Sequence, residues 1–262
     1  MIGLGVHSHF SLMQGTASPR ELCRDARQKG YTALALTDTN NLYGLWPFLA
    51  ACKEEGITPV IGAEIRTESH RLFSLVKDLA GYRNLCRLLT ELHTGTGFDL
   101  KTALETWHTG LVLLPSNGDI LCYCREINAD TAAALAGQPN QANSELRRVA
   151  HRLGVPSVAL QDSFCLSPGD ASTHQLLRAI DTNSSLSRLT DSSTANAALP
   201  SSGSWRQRFN LWPESLHTAA MVAEKCTLRT PYTGLIMPPW PESDPDAQLR
   251  ILAFHGAKER YG

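Results

Sequence analysis

Apolar residues along the first third of the chain fall into short runs separated by polar, helix-like segments. Ile2–Val6 reads as a strand, as do residues 31–37, ending at Asp38, and residues 58–63, ending at Glu64. Between the first two runs, Ser18-Pro19-Arg20-Glu21 forms a capping box with proline at the first helical position. Leu22, Cys23, Ala26 and a stop at Gly30 complete about three turns of amphipathic helix. A second helical segment runs from Gly44 through Trp46, Phe48, Leu49 and Cys52, and stops at Gly56. Strand, helix, strand, helix, strand at this rhythm predicts parallel β/α units. The carboxyl ends of such strands share one face, and that face carries the chemistry in folds of this kind.

The pattern continues with a strand at Arg71–Val76 and a helix over residues 79–93, striped by Leu85, Leu88, Leu89 and Leu92. Residues 110–114 form a further buried run that ends at Pro115-Ser116-Asn117. The Ala-rich stretch 129–153 predicts two helices broken around residues 137–139. A strand over 155–160 ends at Gln161-Asp162, and a helix follows over 168–180. Some six or seven strand–helix units result, with no closer repeat. From 182 to 203 the composition shifts to Ser, Thr, Asn and Ala, which predicts a long polar loop. Beyond it lie a helix over 213–226, a Pro-rich turn region over 232–245 and an amphipathic helix over 246–261.

The 262 residues suffice for one barrel-sized domain with a small appendage. A net charge of −1 supplies no global basic field, so any contact with DNA would be local, weak or indirect. The seven cysteines form no CxxC pair, and Cys122 and Cys124 read as buried thiols in preference to a ligand pair. With no signal peptide and no apolar run of about 18 residues, the expected compartment is the reducing cytoplasm, away from membranes.

Candidate chemistry gathers at the strand ends. In an extended segment residues i and i+2 point the same way, so His7 and His9 can converge on one ion. Asp38 and Glu64 end the next two strands, and Asp162 ends a later one. Each has an ordinary structural alternative: Asp38 or Glu64 as a helix cap, His93 as a complement to its helix dipole, Asp162 as an Asx-turn residue. Their accumulation at successive strand ends points to a metal site, present or ancestral.

These residues lie in motifs that resemble a known family. His7-Ser8-His9-Phe10, Ala35-Leu36-Thr37-Asp38, Asn41-Leu42-Tyr43-Gly44, residues 59–64 and residues 84–88 are similar to the polymerase-and-histidinol-phosphatase (PHP) domain. The likeness is to the version at the N-terminus of bacterial C-family DNA polymerases, the alpha subunit of DNA polymerase III and its error-prone relatives. Asp162, residues 166–171 with His174, and Leu249 with residues 260–262 extend the resemblance over nearly the whole chain. It implies a distorted seven-stranded β/α barrel over 1–205, with a Ser/Thr-rich loop near 182–205. Residues 206–262 would then be a mostly helical extension leading toward the polymerase palm, whose acidic motif this chain lacks.

Complete members hold up to three metal ions and hydrolyse phosphoesters. The resemblance places His7, His9, Asp38, Glu64, His93 and Asp162 at ligand positions. Thr39, Asn117 and Phe164 depart from the pattern, since each stands where an imidazole or thiolate donor is usual. The surviving donors imply at most two ions, zinc or manganese, or none at all. The favoured reading is a polymerase scaffold module that contacts the remaining polymerase domains or subunits, with a proofreading exonuclease as a candidate partner. An active metal-dependent phosphoesterase, of 3′–5′ exonuclease or pyrophosphatase type, is the alternative, and a free-standing metabolite phosphatase is the third reading.

Overall fold

Strand β1 (Ile2–Val6) pairs in parallel with β2 (Ala33–Leu36), and β2 pairs in parallel with β3 (Thr58–Arg66). The computed structural model describes residues 1–95, 97–188, 197–232, 234 and 244–262. The crossovers between these strands are α1 (Pro19–Gln28) and α2 (Leu45–Glu55), placed by the local signals that predict them. Ser18 Oγ accepts from the Glu21 N–H, while the Glu21 carboxylate accepts from the Ser18 N–H at 2.8 Å. Helix α2 ends on Gly56, at φ 65°, a left-handed conformation that costs glycine little. The two helices pack together, and Cys23 Sγ lies 3.6 Å from Cys52 Sγ. All seven cysteines are free thiols.

The chain direction then reverses. Strand β4 (Arg71–Val76) runs antiparallel to β3, with Arg66 opposite Arg71 and Glu64 opposite Phe73. Helices α3 (Leu79–Thr94) and α4 (Leu100–Trp107) lead to β5 (Leu111–Pro115), antiparallel to β4. Glu64 therefore lies inside β3, two residues before its end, and not after a strand as expected. After α5 (Gly118–Glu126) come β6 (Ala133–Ala136), α6 (Gln141–Leu153) and β7 (Ser157–Leu160), with β6 and β7 paired in parallel. Residues 133–136 are thus a strand where an Ala-rich helix was expected. All but Ala136 are buried, and pairing with β7 outweighs the intrinsic helix preference of alanine.

The sheet is curled, in the manner of a half-barrel, with helices against it. It does not form one continuous seven-stranded barrel ladder: β1 to β5 make one sheet and β6–β7 another. The seams are joined by isolated bridges, Leu113 with Thr131 on one side and Val6 with Ser163 on the other. At the second seam the Gln161 N–H donates to Leu4 O and the Ser163 N–H to Gly5 O, while the His7 N–H donates to Ser163 O, all at 2.9–3.0 Å.

Helix α7 (Ala171–Asp181) follows, and α8 (Ser202–Arg208) and α9 (Pro213–Lys225) pack on the curled sheet. Trp205 and Phe209 join Leu121, Leu135, Leu146 and Ala159 in one cluster, and α9 lies against β7 and β1. Part of the expected polar loop is held firmly: Leu199 is buried beside Leu22 and Tyr31, and its N–H donates to Cys165 O at 2.9 Å. Residues 189–196 of that loop, and most of the Pro-rich region (233 and 235–243), lie outside the described residues. The chain divides into two compact units, Met1–Pro231 and Tyr232–Gly262. The second contains α10 (Pro245–Tyr261), whose N-cap Asp244 accepts from the Ala247 N–H at 3.0 Å. Among the described residues no helix is long and apolar enough to cross a membrane.

Candidate functional site

A bulge at the end of β1 sets the position of His7. The β1–β2 register shifts between Gly3 and Val6, and Gly5 takes φ 74°. A Cβ on Gly5 would lie 2.2 Å from Leu160 Cδ2, so glycine permits both the backbone turn and the close approach of β7. His7 is fully buried, with Nε2 at 3.0 Å from Glu64 Oε2 and Nδ1 at 3.3 Å from Ser163 O. The Phe164 ring stacks on its imidazole, with centroids 4.1 Å apart, and Phe73 meets it edge-on at 6.0 Å.

Glu64 is the hub of the mouth. Its Oε1 accepts from Arg71 Nε and from Arg66 at Nε (3.0 Å) and Nη2 (2.7 Å). Its Oε2 accepts from Thr39 Oγ1 at 2.9 Å and faces His7. Arg71 extends its other two nitrogens to Asp162, Nη1 to Oδ2 at 2.8 Å and Nη2 to Oδ1. Burial would raise the Glu64 carboxyl, but the positive charge of Arg71 and the His7 contact outweigh it and hold Glu64 well below the usual range. Burial likewise opposes ionisation of Asp162, and Arg71 overcomes it, leaving Asp162 lowered as well. Arg71 itself is raised: desolvation works against its charge, and Asp162 and Glu64 restore it. A cavity of about 230 Å³ opens beside this cluster, lined in part by Gln14, Arg66, Arg71 and His174.

The other expected ligands are engaged elsewhere. Asp38 accepts from the Ser8 N–H (2.7 Å), Ser8 Oγ (2.8 Å) and Ser11 Oγ (2.7 Å), which clamps the loop carrying His7 and His9. His9 is exposed, and its ring lies across Phe10 at 4.5 Å. His93 is also exposed and donates from Nε2 to Asn40 O at 2.6 Å. Of the three departing positions, Thr39 bonds Glu64 and Phe164 covers His7. Asn117 is the N-cap of α5, accepting from the Ile120 N–H at 3.0 Å.

The structure therefore brings His7, Glu64 and Asp162 into one cluster and leaves His9, Asp38 and His93 outside it. Among the described residues no group of three or more His, Cys, Asp or Glu side chains is arranged to hold a metal ion. A metal needs bare lone pairs converging on one point. Here the carboxylate oxygens of Glu64 and Asp162 already accept from guanidinium, hydroxyl or imidazole groups. The residues as arranged do not fit an ion.

Arg66 and Arg71 are the site residues that the sequence reading missed. A signal for Arg66 was present, because strand alternation places it on the same face as Glu64. Nothing local announces Arg71, whose partner Asp162 lies 91 residues away.

The PHP domain family model matches residues 4–161, more than half of the chain, and the chain belongs to that family. Over its whole length the sequence is similar to DNA polymerase III subunit alpha of Bacillus subtilis, at 27% identity over 26% of that protein. Over 99% of its length it is similar to an error-prone DNA polymerase of Mycobacterium bovis, at 28% identity over 28% of that protein. The chain thus spans about a quarter of the length of the curated relatives it matches. Among solved structures, a two-domain protein from Bacteroides vulgatus, described as containing a PHP-like metal-dependent phosphoesterase, aligns at TM-score 0.48 and 14% identity. That alignment covers 62% of this chain and 51% of the other.

Proposed function

We propose that this chain is the N-terminal PHP module of a DNA polymerase III alpha-like polymerase, serving replication or repair synthesis in the cytoplasm as a scaffold. The observation that carries this reading is the end-to-end match to polymerase subunits about four times its length. The occupied donors of Glu64 and Asp162 support a structural role for the mouth over a hydrolytic one. The partners are then the remaining polymerase domains or subunits, toward which residues 206–262 lead in the family, and a proofreading exonuclease is a candidate for docking. DNA contact is weak or indirect, in keeping with a net charge of −1. A zinc or manganese ion at His7, His9, Glu64 and Asp162 would require Arg71 to leave its two carboxylates.

The reading is tested with the purified chain and with the intact gene product. Hydrolysis of a phosphodiester and of a single-stranded 3′ end should stay at the buffer rate with Mn²⁺, Zn²⁺ or chelator. A destabilising substitution in the module, such as Leu34→Ala, should lower the thermal stability of the intact polymerase. Chelator-sensitive hydrolysis by the unmodified chain, or a polymerase indifferent to the substitution, would overturn it.

A further inference from the structure

We propose that Arg71 is the resident cation of this mouth: its guanidinium bridges Glu64 and Asp162 and excludes a divalent ion from between them. Three of its five N–H donors are committed, Nε to Glu64 and the two terminal nitrogens to the two oxygens of Asp162. The two terminal nitrogens form a bidentate fork on Asp162, which pins the positive charge between the two acids. The guanidinium also lies over the Phe73 ring, 4.8 Å from its centroid, which fixes its plane from below.

Charge balance makes the arrangement self-sufficient. Two carboxylates, Glu64 and Asp162, face two guanidiniums, Arg66 and Arg71. An entering divalent ion would meet two positive groups and find the carboxylate oxygens taken. The hairpin holds both arginines there, because Arg66 and Arg71 are opposite each other in the β3–β4 register, flanking its turn. Phe164, stacked on His7, adds an apolar ring to the same mouth. The chain therefore keeps the two acids of a metal site charged and ordered without a metal. This inference concerns ion uptake alone and does not rest on the assignment to a polymerase.

The test uses the full chain and its Arg71→Gln and Arg71→Lys variants, with Mn²⁺ as the probe. After dialysis the unmodified chain should carry no stoichiometric ion, and its Tm should be the same in chelator and in 1 mM Mn²⁺. Arg71→Gln leaves the two acids under-compensated, so it should melt lower in chelator. Mn²⁺ should then raise its Tm by about 5 °C or more, as expected for an ion far above its Kd. Arg71→Lys retains a cation, and should show no response to Mn²⁺. If the glutamine variant does not fold in either buffer, the unmodified chain and the lysine variant decide the matter. One ion or more per unmodified chain, a lysine variant that takes up Mn²⁺, or a folded glutamine variant indifferent to it would each overturn the proposal. Loss of the proposal by the last route would leave the scaffold reading standing, whereas metal-dependent hydrolysis by the unmodified chain would remove that reading too.

Discussion

The Phe164 ring lies on the imidazole of His7, with centroids 4.1 Å apart and planes 10° from parallel. The same phenylalanine faces His174 at 5.3 Å, and its backbone pairs with Thr16 and Ala197. At a position where the family pattern has a metal donor, this side chain packs as core. Phe164→Ala should therefore destabilise the chain by about 3–5 kcal/mol, as for other buried phenylalanines. Urea unfolding measures this; a loss under about 1 kcal/mol would show that the ring does not seal the mouth.

Glu64 is fully buried and held by four partners, so Glu64→Gln should cost roughly 3–5 kcal/mol at neutral pH by leaving Arg71 and Arg66 under-compensated. The effect has a defined pH dependence. The Glu64 and Asp162 carboxyls are lowered in the folded chain, so their contribution is complete above the unfolded carboxyl pKa of about 4. It is lost as the pH falls through the folded values. Stability curves of the parent and of Glu64→Gln should run parallel from pH 8 to 5 and converge below about pH 4. Convergence on the alkaline side would contradict the sign.

Gly5→Ala should loosen the seam between β1 and β7. The substitution places a side chain at φ 74°, costing about 1–2 kcal/mol, and drives its Cβ against Leu160. Hydrogen exchange should report it first at the amides of His7 and Ser163, which bridge that seam. Unchanged protection there, with the fold intact, would show that the seam does not depend on the glycine.

Asn117 caps α5, so Asn117→Ala should cost about 1 kcal/mol. Asn117→Asp should keep the cap and add a favourable charge at the helix N-terminus. Asn117→Cys, which restores a metal donor type, should behave as the alanine variant does in thermal melts. A neutral alanine substitution would show that the cap contributes nothing.

Helices α1 and α2 and strands β1 to β3 were legible because their signals are local. A capping box, a proline at the first turn, a glycine at the last and a short apolar run each act within a few residues. Family membership was legible too, since its motifs are contiguous. The reversal at β4 and the strand at 133–136 were not. Whether alanines extend or coil depends on the neighbour that buries them, here β7.

The six candidate ligands could be read as residue types, but not as a constellation. Asp38 went to the hydroxyls of Ser8 and Ser11, His93 to the Asn40 carbonyl, and Asp162 to Arg71. By itself the sequence determined helices α1 to α3, most strands and the family, all of which follow from near neighbours and composition. Only the tertiary structure decided which charge neutralises the acids. A partly buried carboxylate takes the nearest donor in space, and for Asp162 that donor lies 91 residues away along the chain.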